Sequence, residues 1–200
     1  MSQPFIIFSL PRSRSAWLSH YLTYADKWCG HDTVIDCKTM DEFAGQFVGP
    51  QAIAGSCETG AMLGWRVIRH SMPKAKLLVV RRPILECWAE LATFGIAGDM
   101  TEMYRRSELL SAISALPNVI TIDWLELNDP NCCKMIFEHC LELDWNPRWW
   151  AKLAEVNIQV DMPRRIRKLQ ANHEILEQLK LDVALASAKL NGSELCLGLN

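Results

Sequence analysis

Residues 5–22 read FIIFSLPRSRSAWLSHYL, which is an apolar run, a turn rich in arginine and serine, and a stretch with helical patterning. A short and nearly continuous apolar run, as at 5–9, is typical of a strand buried on both faces of a parallel sheet. Apolar side chains then recur at helical spacing from Ser15 onward. The segment therefore predicts a strand, a loop and a helix in immediate succession.

The arginines and serines of the loop between the strand and the helix predict an anion-binding site. In open α/β sheets, ligands bind at the carboxyl ends of the strands, and a helix start presents unpaired N–H groups to an anion. The guanidinium groups of Arg12 and Arg14 match phosphate or sulfonate oxygens, and Ser13 and Ser15 add short donors. The alternative is a solvated, serine-capped turn with two surface arginines. The GxxxxGK[ST] pattern of ATPases, with its lysine and magnesium-binding hydroxyl, is absent.

The rest of the chain predicts an α/β fold, in which a parallel β-sheet is flanked by helices, because short apolar runs alternate with amphipathic stretches. The predicted strands lie at 5–9, 27–30, 52–56, 76–80 and 119–123. The predicted helices between them lie at 15–24, 40–47, 58–70, 84–94 and 101–116. Helices at 130–143, 147–154 and 163–181 follow the last strand. We expect a single domain over 1–200 whose part from about 129 onward is helical.

Composition excludes several classes of protein. The chain has 200 residues, half of them hydrophobic, and a net charge of -2, which argues against a surface built to bind bulk nucleic acid. No apolar segment approaches the length of a membrane span, and no export signal is evident, so we expect a soluble, cytoplasmic protein. Eight cysteines without a CxxC pair predict reduced, mostly buried thiols and no structural metal.

Four motifs, at 11–17, 29–33, 74–83 and 122–127 along the chain, resemble those of the sulfotransferase family. Residues 11–17, PRSRSAW, resemble the P-[KR]-S-G-[TS]-[TS]-W loop that binds the 5′-phosphosulfate of 3′-phosphoadenosine 5′-phosphosulfate (PAPS). Residues 74–83, KAKLLVVRRP, resemble the strand and R-N-P turn whose first arginine contacts the 3′-phosphate. Residues 29–33, CGHDT, are similar to the C-G-E-E-T of tyrosylprotein sulfotransferases, and residues 122–127, IDWLEL, resemble a late strand with Y-E-D-L.

The resemblance implies a P-loop NTPase-like sulfotransferase fold and PAPS as co-substrate, without a metal. It implies that residues of the first loop hold the phosphosulfate, namely Arg12, Ser13, Arg14, Ser15 and Ala16. It assigns the 3′-phosphate to Arg81, with Arg82 as the alternative.

Three departures from the family pattern concern the donor site. Arg14 stands where the family has a glycine, and Ala89 stands where a serine shares the 3′-phosphate. The glycine-rich carboxy-terminal segment of many cytosolic relatives has no counterpart. A basic run could substitute for it or form a solvated helix face; its members are Arg164, Arg165, Arg167 and Lys168.

Sulfuryl transfer needs a base for the acceptor and fixed positive charge for the leaving phosphate. Arg12 and Arg14 supply the charge. His31 occupies the place of the catalytic glutamate in the tyrosylprotein motif, and an imidazole with an ordinary pKa of about 6.5 suits a base near neutrality. Asp32 would orient it, although a purely structural histidine is equally consistent with the sequence. Glu58, predicted at the start of a helix, is the competing base.

Two classes of function follow. The first is a sulfotransferase that moves a sulfuryl group from PAPS to a hydroxyl or amine of an unknown acceptor. The second is a P-loop-like nucleotide-binding or kinase-like protein, or a degenerate binder without turnover. The absent ATPase lysine counts against kinase chemistry, while Arg14 and Ala89 count against a standard sulfotransferase.

Overall fold

The computed structural model describes residues 3–49 and 52–159, which form part of one compact unit ending at Gln159. At its centre is a five-stranded sheet in the order β2-β3-β1-β4-β5, with every neighbouring pair parallel. The strands are β1 (Phe5–Ser9), β2 (Cys29–His31), β3 (Gly55–Glu58), β4 (Lys76–Arg81) and β5 (Ile120–Asp123). The predicted α/β class, a parallel sheet flanked by helices, is confirmed.

Seven helices surround the sheet within the described residues. They are α1 (Ser15–Tyr21), α2 (Met40–Gly45), α3 (Trp65–Ser71), α4 (Ile84–Thr93), α5 (Met100–Ser114), α6 (Pro130–Leu141) and α7 (Pro147–Ala154). Short 3-10 helices lie at Thr33–Asp36, Ala61–Gly64 and Trp124–Asn128. None of the helices described is long and apolar enough to cross a membrane.

The position of β1 explains its apolar sequence. It pairs with β3 on one side and β4 on the other, so all five of its residues are buried. Phe5 and Ile7 face a cluster that includes side chains of α1 and α6, while Ile6 and Phe8 face a second cluster that includes α4 and α5. Each face of the central strand is thus covered by helices, as in doubly wound parallel sheets.

The prediction that a helix begins at Glu58 is wrong. Glu58 is the last residue of β3, opposite Phe8 of β1, and the chain becomes helical only from Ala61. Parallel pairing with β1 holds residues 55–58 extended. These residues, GSCE, lack the apolar and β-branched side chains typical of a buried strand, so their composition does not predict that the strand continues to Glu58.

Several other boundaries differ from the prediction, among them the strand predicted at 52–56, which runs from Gly55 to Glu58. The helix predicted over 15–24 ends at Tyr21, because Tyr24 instead pairs with Lys27 in a short antiparallel bridge. The strand predicted at 27–30 runs from Cys29 to His31. The helix predicted over 163–181 lies outside the described residues.

Candidate active site

The loop from β1 to α1 lies at the carboxyl edge of the sheet, as its sequence predicts. Arg12 and Arg14 have left-handed backbone conformations, with φ of 69° and 61°. Arg14 is the residue before α1, and its carbonyl accepts the N–H of Leu18 at 2.9 Å. Arg14 therefore stands in the backbone conformation that favours glycine, which is the residue the sulfotransferase motif has there. A guanidinium has no acceptor atom, so its side chain leaves the first N–H groups of α1 uncapped.

Arg12 and Arg82 converge on one carboxylate. Arg12 Nε donates to Glu90 Oε2 at 2.9 Å, and Arg82 Nη2 donates to Glu90 Oε1 at 2.5 Å. Arg82 also donates to Glu86 Oε2 at 3.1 Å and to the backbone carbonyl of Arg12. These contacts tie the first loop to the turn after β4 and to α4.

The ion pairs alter the titration of both partners. Burial by itself raises the pKa of the Glu90 carboxyl, but hydrogen bonds from Arg82 and Arg12 outweigh it and lower the pKa. Burial lowers the pKa of the Arg82 guanidinium, whereas hydrogen bonds to Glu90 and Glu86 raise it above its ordinary value. Both results describe charged groups that stabilise one another.

Arg14 lies on the other side of the loop, beside an open pocket. Its Nη1 donates to Asn128 Oδ1 at 2.7 Å, and its guanidinium carbon lies 4.4 Å from the ring centroid of Trp17. Arg82 stacks in the same way on Trp124, at 4.1 Å. The pocket has a volume of about 340 Å³, and its lining includes Arg14, Trp17, Trp124 and Asn128.

The two adjacent arginines at the end of β4 differ in their exposure to solvent. Arg81, to which the resemblance assigns the 3′-phosphate, has an exposed side chain. Arg82 is half-buried, with 8% of its side chain exposed, and it pairs with Glu86. The reason is that Arg81 completes β4 while Arg82 turns toward the first loop.

The serines of the loop face different neighbours. Ser13 is fully buried, and its Oγ lies 3.8 Å from Sγ of Cys87 in α4. Ser15 Oγ lies 2.9 Å from Nε2 of His31. Ala16, the second residue of α1, is half-buried. The structure therefore brings Ser15, rather than Ser13, together with a predicted catalytic side chain.

His31 and Asp32 come together at the end of β2. His31 Nδ1 lies 3.5 Å from Asp32 Oδ2, and 17% of the His31 side chain is exposed. Asp32 is buried, and its Oδ1 accepts hydrogen bonds from the N–H of Thr59 at 2.6 Å and from the Thr59 hydroxyl at 2.7 Å. A carboxylate near Nδ1 favours a proton on that nitrogen, which leaves Nε2 to accept the Ser15 hydroxyl.

Glu58 is fully buried behind this pair. Its Oε1 accepts the hydroxyl of Ser56 at 2.5 Å, while Oε2 makes no hydrogen bond within the described part of the chain. Burial raises the pKa of Glu58 to about 7, and the charge of Asp32 acts in the same direction. The hydrogen bond from Ser56 opposes this rise. Glu58 lies at the carboxyl edge of the sheet, where it is the last residue of β3.

Sequence reasoning missed the partners of the arginines. The spacing of four between Arg82, Glu86 and Glu90 was a signal for ion pairs along α4. No local signal linked Arg12 to Glu90, which is 78 positions away, or Arg14 to Asn128, which is 114 positions away.

No protein-family model matches the sequence, and no curated protein sequence matches it. Solved structures do match. Mouse sulfotransferase SULT7A1 complexed with PAP has a TM-score of 0.54 and 14% identity, over 77% of this chain and 64% of that one. A gluconokinase from Sinorhizobium meliloti 1021 has a TM-score of 0.47 and 11% identity, over 76% of this chain and 94% of its own. A sulfotransferase from Alicyclobacillus acidocaldarius has a TM-score of 0.46 and 10% identity, over 86% and 93%.

The likeness to the mouse sulfotransferase shows a shared fold. The chain spans 64% of the length of that protein. The P-loop-like sulfotransferase fold expected from the motifs therefore agrees with the structure.

Proposed function

We propose that the chain transfers a sulfuryl group from PAPS to a hydroxyl or amine acceptor. The observation that carries the proposal is the 2.9 Å contact between Ser15, in the arginine-serine loop, and the imidazole of His31. It places a proton acceptor beside a loop suited to an anionic sulfuryl donor, and sulfuryl transfer needs both at one point. The order of the four sulfotransferase-like motifs supports the same reading.

In this proposal the first loop holds the phosphosulfate. Arg12 and Arg14 face the growing negative charge on the leaving phosphate, and fixed guanidinium groups stabilise such charge without reorganising during the reaction. Ser15 and the backbone N–H groups of Ser13 and Ala16 complete the site. No metal is part of the proposal, because side chains and backbone supply the charge.

His31 is the proposed base. Its Nε2 reaches the loop and its ring is partly open to solvent, so an acceptor hydroxyl can approach it. Asp32 acts as a positioning residue, and Thr59 in turn fixes Asp32. Glu58 has a suitable pKa, but a carboxyl with no exposed surface needs a rearrangement before it can touch an acceptor.

Arg81 remains the first candidate for the 3′-phosphate of the donor, and Arg82 the alternative. Arg81 forms no ion pair within residues 3–49 and 52–159, so a ligand can take it without displacing a carboxylate. Arg82 is already paired with Glu86 and Glu90. Ala89 is exposed beside them and supplies no hydroxyl.

Calorimetry with three nucleotides tests the proposal. We expect adenosine 3′,5′-bisphosphate (PAP) to bind more tightly than adenosine 5′-phosphate, and Arg81→Ala to remove most of that preference. Equal affinities of the folded wild-type protein for the two nucleotides would reject PAPS as donor. Preferential binding of ATP with magnesium would favour the kinase-like reading instead.

A further inference from the structure

Glu90 occupies the position in which a ligand anion would bind Arg12 and Arg82. Its two carboxylate oxygens accept one hydrogen bond from each guanidinium, at 2.9 and 2.5 Å. The side chains of Arg12 and Arg82 are 15% and 8% exposed, whereas that of Glu90 is 38% exposed. The carboxylate thus lies on the open side of two largely covered guanidinium groups.

The charges of this cluster cancel. Arg12 and Arg82 carry two positive charges, and Glu86 and Glu90 carry two negative charges in the paired state. An anion that binds both arginines must therefore compete with Glu90. A site that served only to attract anions would not need a carboxylate at that point.

The arginines are held by contacts that do not involve Glu90. Arg12 also donates to Gln159 at 3.0 Å and lies 5.1 Å from the ring centroid of Phe94. Arg82 keeps its bonds to Glu86 and to the carbonyl of Arg12, and its stacking on Trp124. Rotation of Glu90 into solvent would leave two guanidinium groups in place, which is a preformed site for a phosphate or sulfate group.

We propose that Glu90 is a specificity-determining residue that closes the anion site of the first loop and gives way when a phosphate or sulfate ester binds. The proposal rests on the proposed function, in that it takes this loop to hold the anionic end of a nucleotide donor. Because the carboxylate must be displaced, weakly charged ligands compete poorly with it. Ligands with several negative charges gain both guanidinium groups and displace it.

Glu90→Gln tests the proposal, with Glu86→Gln as the matched control. Both variants remove one negative charge from α4, but among the described residues Glu86 forms an ion pair with Arg82 alone and does not lie between the two guanidinium groups. At an ionic strength of about 0.05 M, we expect Glu90→Gln to bind PAP about 3- to 30-fold more tightly than the wild type. We expect Glu86→Gln to change the affinity less than about 2-fold, and the gain of Glu90→Gln to shrink at high salt.

Inorganic pyrophosphate as a second probe separates this proposal from the proposed function. Tighter binding of pyrophosphate to Glu90→Gln, with no preference of the wild type for PAP over adenosine 5′-phosphate, would support the role of Glu90 and reject the sulfotransferase reading. Unchanged or weaker binding of both probes to folded Glu90→Gln would mean that Glu90 only braces the loop, and would overturn the proposal. Absence of binding to any variant would overturn it as well. Should Glu90→Gln fail to fold, Glu90→Asp, which keeps the charge on a shorter side chain, is expected to show a smaller gain of the same sign.

Discussion

At the scale of single residues, two side chains compete for the role of base, and their environments differ. His31 is partly exposed and contacts the arginine-serine loop through Ser15. Glu58 is fully buried, and its nearest bonded neighbour is Ser56. The solvent exposure of the side chain therefore separates the two candidates.

His31→Ala is expected to lower turnover with PAPS by about two to four orders of magnitude and to leave PAP affinity nearly unchanged. The reason is that the imidazole would accept the proton of the acceptor without holding the nucleotide. His31→Glu should restore part of the rate, since a carboxylate fills this place in the similar tyrosylprotein motif. Steady-state rates and calorimetry on the three proteins measure this. A larger loss in Glu58→Gln than in His31→Ala, at equal stability, would move the role to Glu58.

The buried carboxyl of Glu58 predicts a dependence of stability on pH. Its pKa is raised to about 7 in the folded protein, so the folded state binds more protons than the unfolded state between about pH 4.5 and 7. The free energy of unfolding should therefore fall by up to about 3 kcal/mol as pH rises through this window. Glu58→Gln should lack that fall. Urea unfolding from pH 4 to 8 measures it, and Glu108→Gln, on an exposed face of α5, controls for the loss of one charge. Parallel curves for wild type and Glu58→Gln would contradict the prediction.

At the scale of elements, the loop between β1 and α1 combines functional side chains with an unfavourable backbone. Arg14 has a φ of 61° although it is not glycine, and a left-handed conformation costs such a residue about 1–2 kcal/mol. Its contacts with Asn128 and Trp17 offset part of this cost. The loop thus keeps a guanidinium at a position where the backbone alone favours glycine.

Two substitutions of Arg14 separate the effect of its backbone conformation on stability from the effect of its side chain. Arg14→Gly and Arg14→Ala lose the same guanidinium, so a difference between them reports the left-handed conformation. We expect the glycine variant to be more stable than the alanine variant by about 1 kcal/mol in urea unfolding. At Ala16, inside α1, Ala16→Gly should instead be destabilising by about 0.5–1 kcal/mol. If Arg14→Ala proved as stable as Arg14→Gly, the loop would have to adopt another conformation in solution.

At the scale of the whole molecule, one buried hydroxyl connects segments that are far apart in the sequence. Tyr21 of α1 donates to the carbonyl of Cys133 in α6 at 3.0 Å and accepts from Trp145 Nε1 at 2.9 Å. Its ring stacks on that of Trp17, with centroids 5.2 Å apart. The helix that follows the candidate anion loop is thereby fastened to the helical part after β5.

Tyr21→Phe should lower the free energy of unfolding by about 1–3 kcal/mol, because it leaves the part-buried N–H of Trp145 without its acceptor and removes one donor from the carbonyl of Cys133, which keeps its hydrogen bond within α6. Chemical denaturation measures the change, with Tyr104→Phe on the surface of α5 as the control for loss of an exposed hydroxyl. A change below about 0.3 kcal/mol would mean that other groups or water replace the hydroxyl.

The sequence by itself determined the features that depend on neighbouring residues. The apolar run of β1, the turn after it, the start of α1 at Ser15 and the helix at Pro147–Ala154 were predictable because hydrophobic periodicity is set within a few positions. The carboxyl-edge position of Arg12, His31 and Glu58 followed from the parallel sheet. Only the tertiary structure decided that Glu58 ends a strand, that the side chain of Arg82 is covered while that of Arg81 is exposed, and that Glu90 joins two arginines. The end of the strand depends on its pairing with β1, and the Arg12–Glu90 ion pair joins residues 78 positions apart; no local pattern encodes either.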